Sequence, residues 1–214
     1  MFRAACLALI FGLTATASVA QQVSFSDWRD QRFQLFNRVE FGKSGGTLTI
    51  RADDAASMVY RTLPMSSWGA RMASWSWDVV QSVPATRLDR RGGDDRNIAL
   101  YFAFMPEAEA EAMGRNPNIR RMLRNPAGRV LVYVHGGDAG PGTMLRTPYL
   151  EDRGMVVIRR GAGAGGGMEQ VDLAADYARA FGGTPGALVA VAVSADSDDT
   201  NSVIEARLSN LALR

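Results

Sequence analysis

Cysteine, histidine and lysine each occur once in these 214 residues, as Cys6, His135 and Lys43. One cysteine and one histidine cannot supply the four soft ligands of a structural zinc site or hold an iron–sulfur cluster. With no disulfide available, the fold rests on its core; a chain of this size buries roughly 70% of its unfolded surface, so that core is substantial. No apolar run reaches the ~20 residues that span a bilayer. The formal charge is only +2 and the arginines are scattered, which leaves no basic face for nucleic acid. Gly-x-Ser-x-Gly is absent, so no nucleophile elbow is expected. The glycine-rich run 161–167 lacks both the Lys-Ser/Thr of a phosphate loop and an acidic ribose partner. It reads as a flexible loop.

What is present begins with an address. Arg3 precedes a short apolar stretch, and Ser18 and Ala20 are small residues placed as at a cleavage site. Residues 1–20 therefore read as a secretory signal peptide cut before Gln21. Cleavage would remove Cys6 and Arg3 and leave a cysteine-free, nearly neutral chain. A periplasmic or secreted protein is expected, with no membrane span after cleavage and one domain over residues 21–214.

The mature chain carries recurrent short β-rich runs at 46–50, 57–63, 71–80, 98–104, 130–134, 155–158, 188–193 and 206–213. In the third, Trp75, Trp77 and Val79 occupy every second position, the period of a half-buried strand. Eight such runs punctuated by Gly, Pro, Asn and Asp predict a mainly β fold, a β-sandwich or jelly roll. Accessory helices are expected at 107–113, with a further turn near 118–123, and at 168–181, where Val171, Ala174, Ala175, Ala178 and Phe181 form one face. Gly182-Gly183 would close the latter. An α/β fold is the rival, because the runs at 98, 130 and 188 are continuously apolar. One convincing crossover helix for eight strands argues against it.

Several groups of residues could carry chemistry. Asp196-Ser-Asp-Asp-Thr-Asn201 offers hard oxygen ligands suited to calcium, with Asp196 and Asp198 the candidates. Its sixth position is Asn201 rather than Gly, and the twelfth is Arg207 rather than Glu, so it is no helix–loop–helix calcium loop. The plainer reading, which the sequence favours, is an Asx-rich turn. Asp94, Asp95 and Arg96 stand at the head of the strand near Ile98, where they form either a hydrogen-bonding set for sugar hydroxyls or a solvated turn. On an extended segment Asp94 and Asp95 point to opposite sides. His135 ends an apolar strand, as a general base or as a structural imidazole. Trp75 and Trp77 share one face, either a platform for stacking sugar rings or core.

Taken in order, Trp75-Ser-Trp77, Gly93-Asp94-Asp95, Tyr101 with Phe104, Tyr133-Val-His135, Asp172-Leu-Ala-Ala-Asp176-Tyr177 with Phe181-Gly182, and Asp196-Ser-Asp-Asp-Thr200 resemble the bacterial family known as domain of unknown function 3047. The likeness runs from about Phe25 to the C-terminus. It implies a secreted or periplasmic protein with a galactose-binding-like jelly roll. The family pattern leads one to expect Arg at Ala99 and Trp at His135. The reading that results is a non-catalytic β-sandwich binding a carbohydrate or cell-envelope glycan. Its ligand would meet Trp75, Trp77, Asp94, Asp95, Arg96 and His135, with calcium at Asp196 and Asp198. The alternatives are a polysaccharide hydrolase pairing Asp94 or Asp95 with Asp196 or Asp198, and a structural partner in an envelope or secretion assembly.

Overall fold

Alternating apolar and polar residues leave a strand one wet face and one dry face, and the dry faces must meet. The computed structural model describes residues 20–32, 37–114 and 119–214. The expected signal peptide, Ala20 apart, lies outside the described residues, as does the start of the turn expected near residue 118. In chain order the elements are β1 (Gln21–Gln22), β2 (Arg29–Arg32), β3 (Glu40–Ser44), β4 (Thr47–Asp53), β5 (Ala56–Thr62), β6 (Met72–Gln81), β7 (Arg96–Met105), α1 (Glu107–Ala112), α2 (Ile119–Arg124), β8 (Arg129–His135), β9 (Met144–Arg146), β10 (Gly154–Arg160), β11 (Gly165–Asp172), α3 (Leu173–Phe181), β12 (Ala187–Asp196) and β13 (Val203–Leu213).

The strands form two sheets, a mainly β sandwich of jelly-roll type. One runs β11-β6-β13-β4-β3, with β1 also on β13; the other runs β2-β5-β12-β7-β8-β10-β9. Neighbours are antiparallel except β8 and β10, which pair in parallel from Val130↔Gly154 onward. The rival α/β arrangement is not what forms, because the apolar runs at 98, 130 and 188 lie in one largely antiparallel sheet.

The core between the sheets explains the tryptophans. Trp75 and Trp77 are 1% and 2% exposed, with ring centroids 5.4 Å apart, and Trp75 lies 5.5 Å from Tyr133. The alternation of β6 turns Trp75, Trp77 and Val79 toward the second sheet and leaves Asp78 and Val80 outside. The expectation that the two indoles stack a sugar is therefore corrected: neither presents a face to solvent.

The segment before α3 needs a second correction. The helix expected from Met168 begins at Leu173, and Met168 belongs to β11, which pairs with β6 from Gly165↔Val79 to Asp172↔Met72. Asp172 is the N-cap, its Oδ1 accepting from Ala175 N at 2.9 Å, and this side-chain acceptor sets the helix start. The glycine run is accordingly no simple loop. Gly166 packs so tightly on Trp77 O and Asp78 that a β-carbon would collide with backbone, and glycine permits the edge strand to close on β6.

The seven-stranded sheet is also apolar on its outer face. There Met105, Ala187 and Val189 meet α1 and α2 through Ala110, Ile119 and Met122. Further along, Val130, Val132, Val156 and Ile158 meet Leu145 of β9 and Leu88 and Leu150 from two loops. This second apolar layer supports the site.

Candidate functional site

On that outer face a cleft of about 470 Å³ is lined by Met58, Leu88, Leu123, Val132, Leu150 and Val156, and by Asp94, Arg96, Tyr101, Tyr149, Asp196, Asp198 and Asp199. Its central group is Arg96, and a bulge puts it there. On β7 the pairing partners step from Ala99 to Arg96 while β12 steps only from Ser194 to Asp196, so β7 carries one extra residue. Such a bulge re-aims the side chains beyond it.

The nearly buried guanidinium makes five contacts through its two terminal nitrogens. Its Nη1 donates to Asp94 O at 2.7 Å, Asp94 Oδ2 at 3.0 Å and Asp196 Oδ2 at 3.1 Å. Its Nη2 donates to Tyr101 Oη at 3.1 Å and Ser194 Oγ at 3.3 Å. Burial opposes its charge, but Tyr101 and the carboxylates of Asp196 and Asp94 outweigh that and raise its pKa. The arrangement fixes both carboxyl groups in the wall of the cleft.

Asp94 and Asp95 diverge. Asp94 Oδ1 accepts from Tyr149 Oη at 2.8 Å. Asp95 is fully buried and turns the other way, accepting from Asp199 N at 3.3 Å, Thr200 N at 2.8 Å and Thr200 Oγ1 at 2.5 Å. It thereby fastens the 196–201 loop to the start of β7. Carboxyl oxygens of Asp95, Asp196 and Asp198 all lie within 4.8 Å of one another. Burial pushes the Asp196 carboxyl up to about 8; Arg96 opposes the shift, while Asp198 and Asp95 reinforce it. Like charges this close favour a retained proton, and a hard cation would use the same oxygens. No hydrogen-bond donor among the described residues reaches Asp196 Oδ1.

At the mouth stands Tyr149, 55% exposed, with the Arg91 guanidinium 5.4 Å from its ring centroid. Arg91 Nε also donates to Pro148 O at 2.9 Å, tying the loop before β7 to the loop before β10. Burial and the Asp94 carboxylate raise the pKa of the Tyr149 hydroxyl, so it stays protonated and donating.

His135 is the third correction. It pairs with Ile98 across the ladder on the inner side of the sheet, buried, its ring 5.6 Å from Trp77. Burial lowers its pKa, so it is neutral at pH 7 and stands outside the cleft. Of the residues expected at the site, Asp94, Arg96, Asp196 and Asp198 line the cleft, Asp95 braces it from behind, and Trp75, Trp77 and His135 belong to the core. Tyr149, Tyr101 and Ser194 are additions. Tyr149 sits in a loop with no periodicity to announce it.

Fold and cleft together define a two-sheet β sandwich with an acidic, arginine-centred cleft on the outer face of its larger sheet. The chain belongs to the family described as protein of unknown function (DUF3047), whose profile matches residues 23–212. No curated protein matches it. Among solved structures it is similar to the xyloglucanase domain of NopAA from Sinorhizobium fredii, in complex with cellobiose, at 10% identity and TM-score 0.48, over 92% of this chain and 99% of that one. It is also similar to a cellulase derived from Cel12A of Rhodothermus marinus, at 13% identity and TM-score 0.42, over 92% and 99%. A loop-swap mutant of Xyn11A from Necallimastix patriciarum follows, at 8% identity and TM-score 0.37, over 91% and 99%. Among the described residues, no helix is long and apolar enough to cross a membrane.

Proposed function

We propose that the cleft binds a carbohydrate, as a non-catalytic recognition site for a glycan of the cell envelope. The observation that carries this reading is the exposed Tyr149 ring beside Asp94, Arg96 and Asp196. Sugar rings pack their C–H faces on aromatic rings, and fixed carboxylates accept from neighbouring hydroxyl groups. The expected signal peptide supports a periplasmic or secreted setting. Calorimetry against a panel of neutral oligosaccharides and peptidoglycan fragments tests the reading. Binding that Tyr149→Ala and Asp94→Asn each weaken at least tenfold, with unchanged circular dichroism, upholds it; no binding to any glycan sinks it.

A second reading, hydrolysis of a polysaccharide, is favoured by one observation: Asp196 keeps its proton near neutral pH, as a general acid must. The geometry weighs against it: Asp95 is engaged by the amides of Asp199 and Thr200 and does not line the cleft. The guanidinium of Arg96 fills the space between Asp94 and Asp196, where a scissile bond would have to lie. Release of reducing ends, lost in Asp196→Asn, would reverse this ranking.

A further inference from the structure

The cleft is built from two different rows of the sheet. In one, Ala56, Asp196 and Arg96 are direct ladder partners. In the other, Tyr101 pairs with Val132 and Val132 with Val156. Along β12 these rows are four residues apart, from Asp196 opposite Arg96 to Ala192 opposite Tyr101, or roughly 14 Å at about 3.4 Å per residue. The cleft is thus elongated and changes character along its length. Charged groups gather at the Asp196 row. Beyond it the lining is mostly aliphatic, Met58, Val132 and Val156 beneath Leu88, Leu123 and Leu150, and its two hydroxyl groups are already engaged, Thr147 Oγ1 by Leu150 N and Tyr101 Oη by Arg96 and Ser194. A site for a bare saccharide would carry hydrogen-bonding groups along its whole length, because each sugar hydroxyl stripped of water needs a partner. Six aliphatic side chains offer none.

Charge narrows the choice of head group. Asp94, Asp196, Asp198 and Asp199 line the polar end against the single guanidinium of Arg96. That guanidinium is already bonded to Asp94, Asp196, Tyr101 and Ser194. A carboxylate, sulfate or phosphate head would meet like charge at the polar end, where Arg96 is already engaged and the other nearby cation, Arg91, stands at the mouth against Tyr149. A neutral head rich in hydroxyl donors meets fixed acceptors.

We infer that the ligand is a neutral glycoside bearing an aliphatic chain: the sugar lies at the Asp94–Arg96–Asp196 end against Tyr149, and the chain lies over Val132 and Val156. This rests on the glycan reading above and adds a lipid-like portion to it.

The test is calorimetry with octyl and decyl β-glucoside below their micelle concentrations. Glucose and cellobiose serve as chain-free sugars, and decanoate and decyltrimethylammonium as chains with other heads. Decyl glucoside should bind more tightly than octyl glucoside by about fourfold for each added methylene, and more tightly than decanoate by at least tenfold. Leu123→Gln, a half-buried change on α2 with its fold checked by circular dichroism, should weaken the alkyl glucosides at least fivefold. If cellobiose matches octyl glucoside, the aliphatic portion is overturned and the glycan reading stands. If decyltrimethylammonium or decanoate matches decyl glucoside, the sugar head is overturned, and the glycan reading with it. If nothing binds, both are overturned.

Discussion

Arg96 and Tyr101 lie five residues apart on one strand, an interval that should set them on opposite faces, yet Arg96 Nη2 reaches Tyr101 Oη at 3.1 Å. The extra residue that β7 carries against β12 is responsible. Without it the guanidinium would point into the inter-sheet core, among Ile98 and Leu100. The cleft owes its central charge to that irregularity.

Arg96 should therefore be the most costly polar residue to remove. Arg96→Met strips the partner from Asp94 and Asp196 while both remain largely buried. Urea unfolding should show a loss of about 3–5 kcal/mol. Arg96→Lys should recover only part of this, because an ammonium cannot reproduce the fork that bonds four groups at once. Equal stability of the methionine variant and the parent would show that the network contributes nothing net.

The Asp196 carboxyl gives stability a pH dependence of unusual sign. Its folded pKa is raised to about 8 from an ordinary value of 3.8. Between those values the folded state binds a proton that the unfolded chain releases. Its contribution is thus fully present below about pH 4 and lost as pH rises through about 8. The unfolding free energy of the parent should fall from pH 5 to pH 8.5 relative to Asp196→Asn, whose slope over that window should be flatter. Calcium added at pH 8 separates the two occupants of the carboxyl trio: a melting temperature that rises with calcium and falls with chelator assigns the oxygens to the ion, and an unchanged one assigns them to the proton.

The two kinds of aromatic residue should separate cleanly. Trp75→Ala empties a closed core position and should cost about 3–5 kcal/mol, with tryptophan emission in the parent resistant to aqueous quenchers. Tyr149→Ala should leave the melting temperature within a few degrees and remove ligand binding. The reverse pattern would return the indoles to the binding site.

Asp95 should behave as a fastener. Asp95→Ala removes the acceptor from the part-buried backbone amides of Asp199 and Thr200, and the lost hydrogen bonds should cost about 1 kcal/mol, since water can reach the freed donors. Hydrogen exchange at those amides should accelerate more than in the β12 interior. Uniform acceleration would mean global rather than local loosening.

The strands were readable because alternation is a local signal. Trp75, Trp77 and Val79 specify a shared face, and Leu208 with Ala206 does the same on β13. Alternation cannot say whether the shared face is wet, and that ambiguity left the indoles balanced between platform and core. The border at Asp172 was hidden for a similar reason. Val171 continues the apolar spacing of α3, and only pairing with β6, a contact distant in sequence, makes it strand. At the site, Asp94, Arg96 and Asp196 announced themselves as charges. Their meeting through a bulge, and the arrival of Tyr149 from a loop, depend on tertiary geometry that no spacing encodes.

One pairing has a wider consequence. Strands that run side by side in the same direction cannot be joined by a tight turn, so β8 and β10 oblige residues 136–153 to travel back the length of the sheet before the chain can re-enter it. That return path carries β9, Tyr149 and Leu150. The wall of the cleft is thus a detour imposed by topology, anchored at both ends but held by no ladder at Tyr149. Changes of sequence along it could retune what the cleft accepts while the sandwich beneath keeps its register, which separates the evolution of recognition from the upkeep of the fold.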